Sequence, residues 1–271
     1  MSLVNKTKPL PHKYRIPYLF LGKGKISVNG YFLLFIDKDG SAQIPIEKYS
    51  SLMLEPGISI SHEAVKLCST LNVMLFWVGE CGVRIYATSY IRTSTESSRQ
   101  LKQLMLWKES KLRLSAASRL YELMFPDEDN FNYNSIEKYR GAEGAKVRCL
   151  YQKIAKDNGV VWKGKDSKTN LNIAINMANS CLYSICELAI VLSGFTPSIG
   201  VVHEGKPNSL AYDLADTVKF SEIIPVAFKA YNAEPESVNI IFKVRRDVRD
   251  YCHKQKLIDK LIKNIIYIIG G

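Results

Sequence analysis

The chain has 271 residues, enough for two domains or one large one, and 46% of them are hydrophobic, which excludes gross disorder. Lys and Arg number 37 against 26 Asp and Glu, a formal net charge of +11. The expected partner is therefore a polyanion, nucleic acid first and an anionic membrane surface second. Six scattered cysteines form no C-x-x-C pair, which argues against a disulfide framework or zinc cage and for free thiols in a reducing cytosol.

The N-terminus, MSLVNKTKPLPHKYR, has no apolar signal core, and the expected location is the cytoplasm. Residues 1–88 read as a strand-rich domain. Segments 17–21, 25–28, 31–37, 42–46 and 51–55 are short and rich in β-formers. Gly22-Lys23-Gly24, Asn29-Gly30 and Lys38-Asp39-Gly40 separate them, and Asn29-Gly30 is a strong two-residue hairpin signal because both positions tolerate positive φ. A short helix over 61–67 and a strand pair, 72–78 and 83–87, around Gly79-Glu80-Cys81-Gly82 complete a small β-sandwich with one helical insert.

From Thr88 to Ser98 the chain is Ser/Thr-rich and reads as a linker, with Thr93-x-x-Glu96 as a capping box for the next helix. Residues 89–271 form the second domain, in which the hydrophobic period turns helical. Apolar stripes run from Leu101 to Leu123, ending at Pro126. The next helix, 135–158, holds Gly141 and Gly144, each costing roughly 1 kcal/mol relative to Ala in a helix interior. Their bare face suits either tight helix packing or a ligand, in which case Glu143 protrudes between them with Lys146 and Arg148 nearby. Segment 170–192 is apolar nearly all round. Asn172, Asn176, Asn179, Ser180, Ser184 and Glu187 interrupt it, so it reads as a buried central helix with no membrane partner. A helix over 218–233 should kink at Pro225, residues 239–250 carry Lys243, Arg245, Arg246 and Arg249, and an amphipathic helix ends the chain.

Segment 198–219, SIGVVHEGKPNSLAYDLADTVK, concentrates chemistry. Glu204-Gly205-Lys206-Pro207 should turn, and Asn208 or Ser209 can cap a helix carrying Asp213 and Asp216 on one face. With His203 before it and Glu143 elsewhere, two kinds of oxygen donor and one imidazole suit Mg²⁺ or Mn²⁺. The alternative is a capped surface helix with a nearby His. HExxH, Walker A, GxSxG and Rossmann glycine patterns are absent. A carboxylate-bound divalent ion beside Lys206, Lys219, Arg148 and Arg245 fits phosphodiester chemistry.

Five segments in order carry a resemblance: LEPG at 54–57, WVGExGVRxYA at 77–87, RGxEGxxVR at 140–148, SCLY at 180–183 and PSIGxVHxGKPxSxxYDxADxxK at 197–219. On them the chain resembles the CRISPR-associated integrase/endonuclease of spacer adaptation, in its type I-E form. The resemblance implies an α+β fold, an N-terminal β-sandwich followed by an all-α C-terminal catalytic domain. It implies metal ligands at Glu143, His203 and Asp216, with Asp213 a further acidic member, and a DNA contact at Arg84. It also implies transesterification, with the 3′-hydroxyl of a short DNA fragment attacking the edge of a CRISPR repeat, and nicking of branched DNA at the same site. The implied partners are DNA with single-stranded 3′ ends, a second copy of the chain, and a small ferredoxin-like adaptation protein in a hetero-hexamer. The sequence ends at Gly271, before the Pro-rich tail that relatives carry. The basic charge fits a non-catalytic DNA-binding scaffold as well, whereas a metal hydrolase of small phosphoesters would not need so basic a chain.

Overall fold

The computed structural model of the protein describes residues 10–79, 85–89, 97–128, 131, 133–164, 169–235, 237 and 239–270, without the side chains of Lys13 and Ala145. The chain divides into two units, Met1–Arg92 and Thr93–Gly271. The expected turn at Glu80-Cys81-Gly82, the linker from residue 90 to 96 with its capping box, and Arg84 lie outside the described residues.

The first unit holds two four-stranded sheets built from β1 (Leu19–Leu21), β2 (Gly24–Asn29), β3 (Phe32–Asp37), β4 (Gly40–Ile44), β5 (Ser51–Leu54), β6 (Ile58–Ile60), β7 (Met74–Val78) and β8 (Ile85–Thr88). One sheet runs β4-β3-β2-β6 and the other β1-β5-β7-β8. The first hairpin closes one residue later than the Asn-Gly signal suggests. Asn29 pairs with Phe32, so Gly30 and Tyr31 form the turn, with φ +63° falling on Gly30. Only the first central residue has positive φ, which suits a turn of the II′ kind. β6, only three residues long, had no expected counterpart. It pairs parallel with β2, and β5 pairs parallel with both β1 and β7. Leu52, Leu54 and Leu75 of one sheet and Ile26, Leu33 and Ile44 of the other share one core, with Ala64 and Cys68 of α1 (His62–Thr70). Ser61 caps α1 through Oγ, which accepts from Ala64 N–H at 3.2 Å.

The second unit is helical. α2 (Ser98–Lys108) and α3 (Ser110–Met124) are separated by the extended Glu109. α4 (Ile136–Asp157) and α5 (Asn170–Leu192) begin at Ser135 and Thr169, whose side chains accept from Lys138 and Asn172 N–H. α6 (Ser209–Val218) leads through a π-helical turn (Lys219–Ile223) into α7 (Ile224–Ala233), followed by α8 (Ile240–Lys254) and α9 (Leu257–Ile269). The regular helix is interrupted beside Pro225, as expected: the π-helical turn ends at Ile223 and Pro225 lies in the first turn of α7. α5 is long and apolar enough to cross a membrane by length and composition, yet most of it is buried within the protein. It packs against α6, α7, α8 and α9 and is the axis of the unit's core.

Candidate metal centre

Asp213 organises the loop before α6. Residues 201–203 belong to no helix or strand, and Val201 and Val202 are each 1% exposed. Val201 N–H donates to Asp213 Oδ2 at 2.5 Å, Val202 N–H to the same oxygen at 3.2 Å, and His203 N–H to Oδ1 at 3.0 Å. The His203 ring completes the set, with Nδ1 at 2.8 Å from Asp213 Oδ1. An ionised carboxylate only accepts, so Nδ1 carries the proton and Nε2 keeps its lone pair in the neutral ring. Gly200 makes this wrap possible. A Cβ there would run into the His203 carbonyl oxygen and lie 2.8 Å from Asp213 Oδ2. Ser209 seats the helix start differently from the expected cap. Its Oγ accepts from Lys206 N–H at 3.1 Å and donates to Lys206 O at 2.9 Å. Asn208 makes no side-chain capping bond.

Three residues after Asp213, Asp216 is buried on the same helix. Glu143 comes from α4, on the stripe it shares with the buried Tyr139, Val147 and Tyr151. One donor atom from each of Glu143, His203 and Asp216 can be chosen so that all lie within 4.8 Å of one another. Two carboxylates and a neutral imidazole at that spacing fit a shared Mg²⁺ or Mn²⁺. Asp213, with both oxygens occupied beneath His203, is not among the converging donors. It orients the His203 ring through Nδ1, the contact a carboxylate makes beneath a histidine that binds a metal.

The electrostatics follow from burial and like charge. Burial, then the Asp216 carboxylate, hold the Glu143 carboxyl above the usual carboxylate range, against His203, Tyr121 and Lys219. Burial alone would lower the pKa of His203, but Asp213 above all raises it. Lys219 Nζ lies 3.3 Å from Asp216 Oδ1. Burial pulls the ammonium's pKa down, and the Asp216 charge with Tyr183 and Tyr151 overcomes it, so the lysine stays charged. Tyr121, fully buried, donates its hydroxyl to Tyr139 O at 2.7 Å and stands 3.3 Å from Glu143 Oε2.

The glycines of α4 serve no helix packing. A Cβ at Gly141 or Gly144 meets nothing within 4 Å. Both are exposed, on the stripe that Glu137 and Arg148 share, while Glu143 turns inward rather than protruding between them. Lys146 faces elsewhere, paired with Glu128 and lying 4.6 and 4.7 Å from the Phe125 and Phe131 ring centroids.

The basic residues picked out for DNA fall in different settings. Arg148 and Lys206 are exposed, and Lys206 Nζ is 5.8 Å from the Tyr212 ring that also neighbours His203. Lys219 is committed to Asp216. Arg245 is 6% exposed, on the inner side of α8, with its guanidinium 5.2 Å from the Phe242 ring centroid. Arg113 and Arg140 went unnoticed as site residues because their partners are backbone carbonyls of residues 201 and 202, which no side-chain pattern announces.

A family model for the CRISPR associated protein Cas1 matches residues 18–125 and 126–238. A CRISPR-associated endonuclease Cas1 of Methanospirillum hungatei JF-1 is 39% identical over 97% of this chain and 90% of its own length. The CRISPR-associated endonuclease Cas1 of Escherichia coli K12 is 38% identical over 97% of this chain and 88% of its own. The crystal structure of a TtCas1–DNA complex superposes with a TM-score of 0.66 at 28% identity, covering 96% of this chain and 98% of that one. On these residues and this fold, the chain belongs to the Cas1 family of CRISPR-associated proteins.

Proposed function

We propose that the chain is a metal-dependent DNA endonuclease and integrase of CRISPR adaptation, inserting short DNA fragments into a CRISPR array. The observation that carries this reading is the convergence of Glu143, His203 and Asp216 from three separate segments. The names of the relatives, a TtCas1 structure with DNA and the net charge of +11 support the substrate class. A divalent ion, Mg²⁺ or Mn²⁺, bound by these three residues would supply Lewis-acid polarisation of a phosphoryl oxygen and stabilise charge on the attacking or leaving oxygen.

The chain's own residues do the rest. Asp213 fixes the His203 tautomer, so Nε2 faces the site as a lone pair. Lys219 offsets the Asp216 charge, which lowers the repulsion that a phosphate meets on approach. Exposed Lys206 and Arg148 take phosphate oxygens of the nucleic acid. Attack by the 3′-hydroxyl of a fragment forms one P–O bond as another breaks, and gives strand transfer. Attack by water gives a nick. The assembly in this reading is a homodimer that joins a small ferredoxin-like adaptation protein.

Incubation with Mn²⁺ and a branched DNA, followed on a denaturing gel, tests the proposal. Strand transfer and nicking should fall at least about a hundredfold in Glu143→Ala, His203→Ala and Asp216→Ala, the scale of losing a metal's charge stabilisation. Activity that survives all three substitutions contradicts the site.

A further inference from the structure

Buried peptide groups outside regular structure need hydrogen-bond partners, and here side chains supply them. The N–H groups of residues 201–203 all go to Asp213. The carbonyls go the other way. Arg113 Nε donates to Val201 O at 2.7 Å, and Arg140 donates to Val202 O from Nε at 2.9 Å and from Nη2. Glu204, the next residue after the histidine, pairs with Arg113 and lies 3.5 Å from Arg140 Nη2. The stretch that carries His203 is thus held between one anion and two cations, on α6, α3 and α4.

The placement repeats itself along the two helices that supply carboxylates. Asp213 precedes Asp216 by three residues on α6, and Arg140 precedes Glu143 by three residues on α4. On each helix the side chain about one turn before the carboxylate grips the backbone that bears the histidine. Residues three apart are neighbours on one helix face, so such a grip fixes the distance from that carboxylate to the histidine. We infer that Arg140, braced by Arg113, is a positioning residue of the metal centre that sets Glu143 against His203, as Asp213 sets Asp216 against it. This rests on the metal-centre reading above. The two-pronged hold of a guanidinium on Val202 O is a task a lysine cannot reproduce.

Arg140→Met removes the guanidinium and keeps much of the stem. In the metal-free protein, hydrogen exchange at the Val202 and His203 amides should accelerate about tenfold or more. Titration with Mn²⁺, read by electron paramagnetic resonance, should show affinity down roughly 10–100-fold, as for other groups that orient ligands. Metal-free DNA affinity should stay within about twofold, with the same salt dependence. Unchanged exchange and Mn²⁺ affinity, with DNA affinity and its salt slope reduced by about one phosphate contact, would assign Arg140 to the nucleic acid and overturn the inference. If the methionine variant does not fold, Arg140→Lys gives the same readouts. A lysine variant that matches the wild type in exchange and Mn²⁺ affinity also overturns it. A wild-type protein that binds no Mn²⁺ contradicts the metal reading itself, while amide exchange still decides the grip.

Discussion

Helices α4 and α6 each give one carboxylate to the same site, under opposite conditions. α6 is buried over most of its length, and its Asp213, wholly enclosed, takes four hydrogen bonds from the loop above it. α4 lies open along one side, where Gly141 and Gly144 leave empty space. Glu143 enters the site from that helix between like charge and burial, with Tyr121 at 3.3 Å. The contrast separates a carboxylate enclosed by the loop it organises from one carried by a helix whose other side is open.

The sharpest way to break that contrast is to remove one carboxylate from each helix and compare stability. Asp213→Ala leaves three buried N–H groups and the His203 ring without their acceptor. It should cost roughly 3–5 kcal/mol, as for other broken buried charge networks. Glu143→Gln should cost the metal-free protein nothing and stabilise it slightly at neutral pH. The sign follows from linkage. The folded state raises the Glu143 pKa and so holds its proton to higher pH than the unfolded chain does. Stability therefore falls as pH rises through that window, and the cost is complete above the folded value. Glutamine removes it. Urea denaturation of both variants at pH 7 checks the pair, and equal losses would mean that the two carboxylates are not different in kind.

A smaller effect tests the open side. Gly144→Ala places a methyl group in empty space on a helix whose φ there is ordinary. It should stabilise the protein by up to about 1 kcal/mol. If a DNA strand passes that side, the same variant weakens strand transfer despite its greater stability. A variant that is more stable and equally active would show that the strand passes elsewhere.

Much of this was legible in the sequence, and the reasons differ by residue. The helical period over 170–192 is a local signal, and α5 follows it closely. Asp213 and Asp216 sit at i, i+3, which puts both on one face but assigns no role. The resemblance set Asp216 apart from Asp213, and the fold shows the physical difference: Asp213 lies beneath the His203 backbone and Asp216 converges with Glu143. Gly141 and Gly144 were equally open to helix packing or a ligand, because what a missing Cβ spares depends on neighbours distant in sequence. Arg140 stood in the RGxEG stretch without a task, since its partner is a carbonyl 62 positions away. The parallel pairing of β5 with β1 and β7 is likewise non-local, and only the antiparallel hairpins had turn signals to announce them.

The most direct measurement is Mn²⁺ binding to the purified chain and to Glu143→Ala, His203→Ala and Asp216→Ala, across pH 5.5 to 8. A centre shared by these three donors binds one ion per chain, loses at least about tenfold in affinity with each substitution, and binds more tightly as pH rises. The pH trend is fixed by the raised pKa values of Glu143 and His203, whose protons the ion must displace. Binding of equal strength in all three variants, or binding that does not change with pH, would contradict the centre described above.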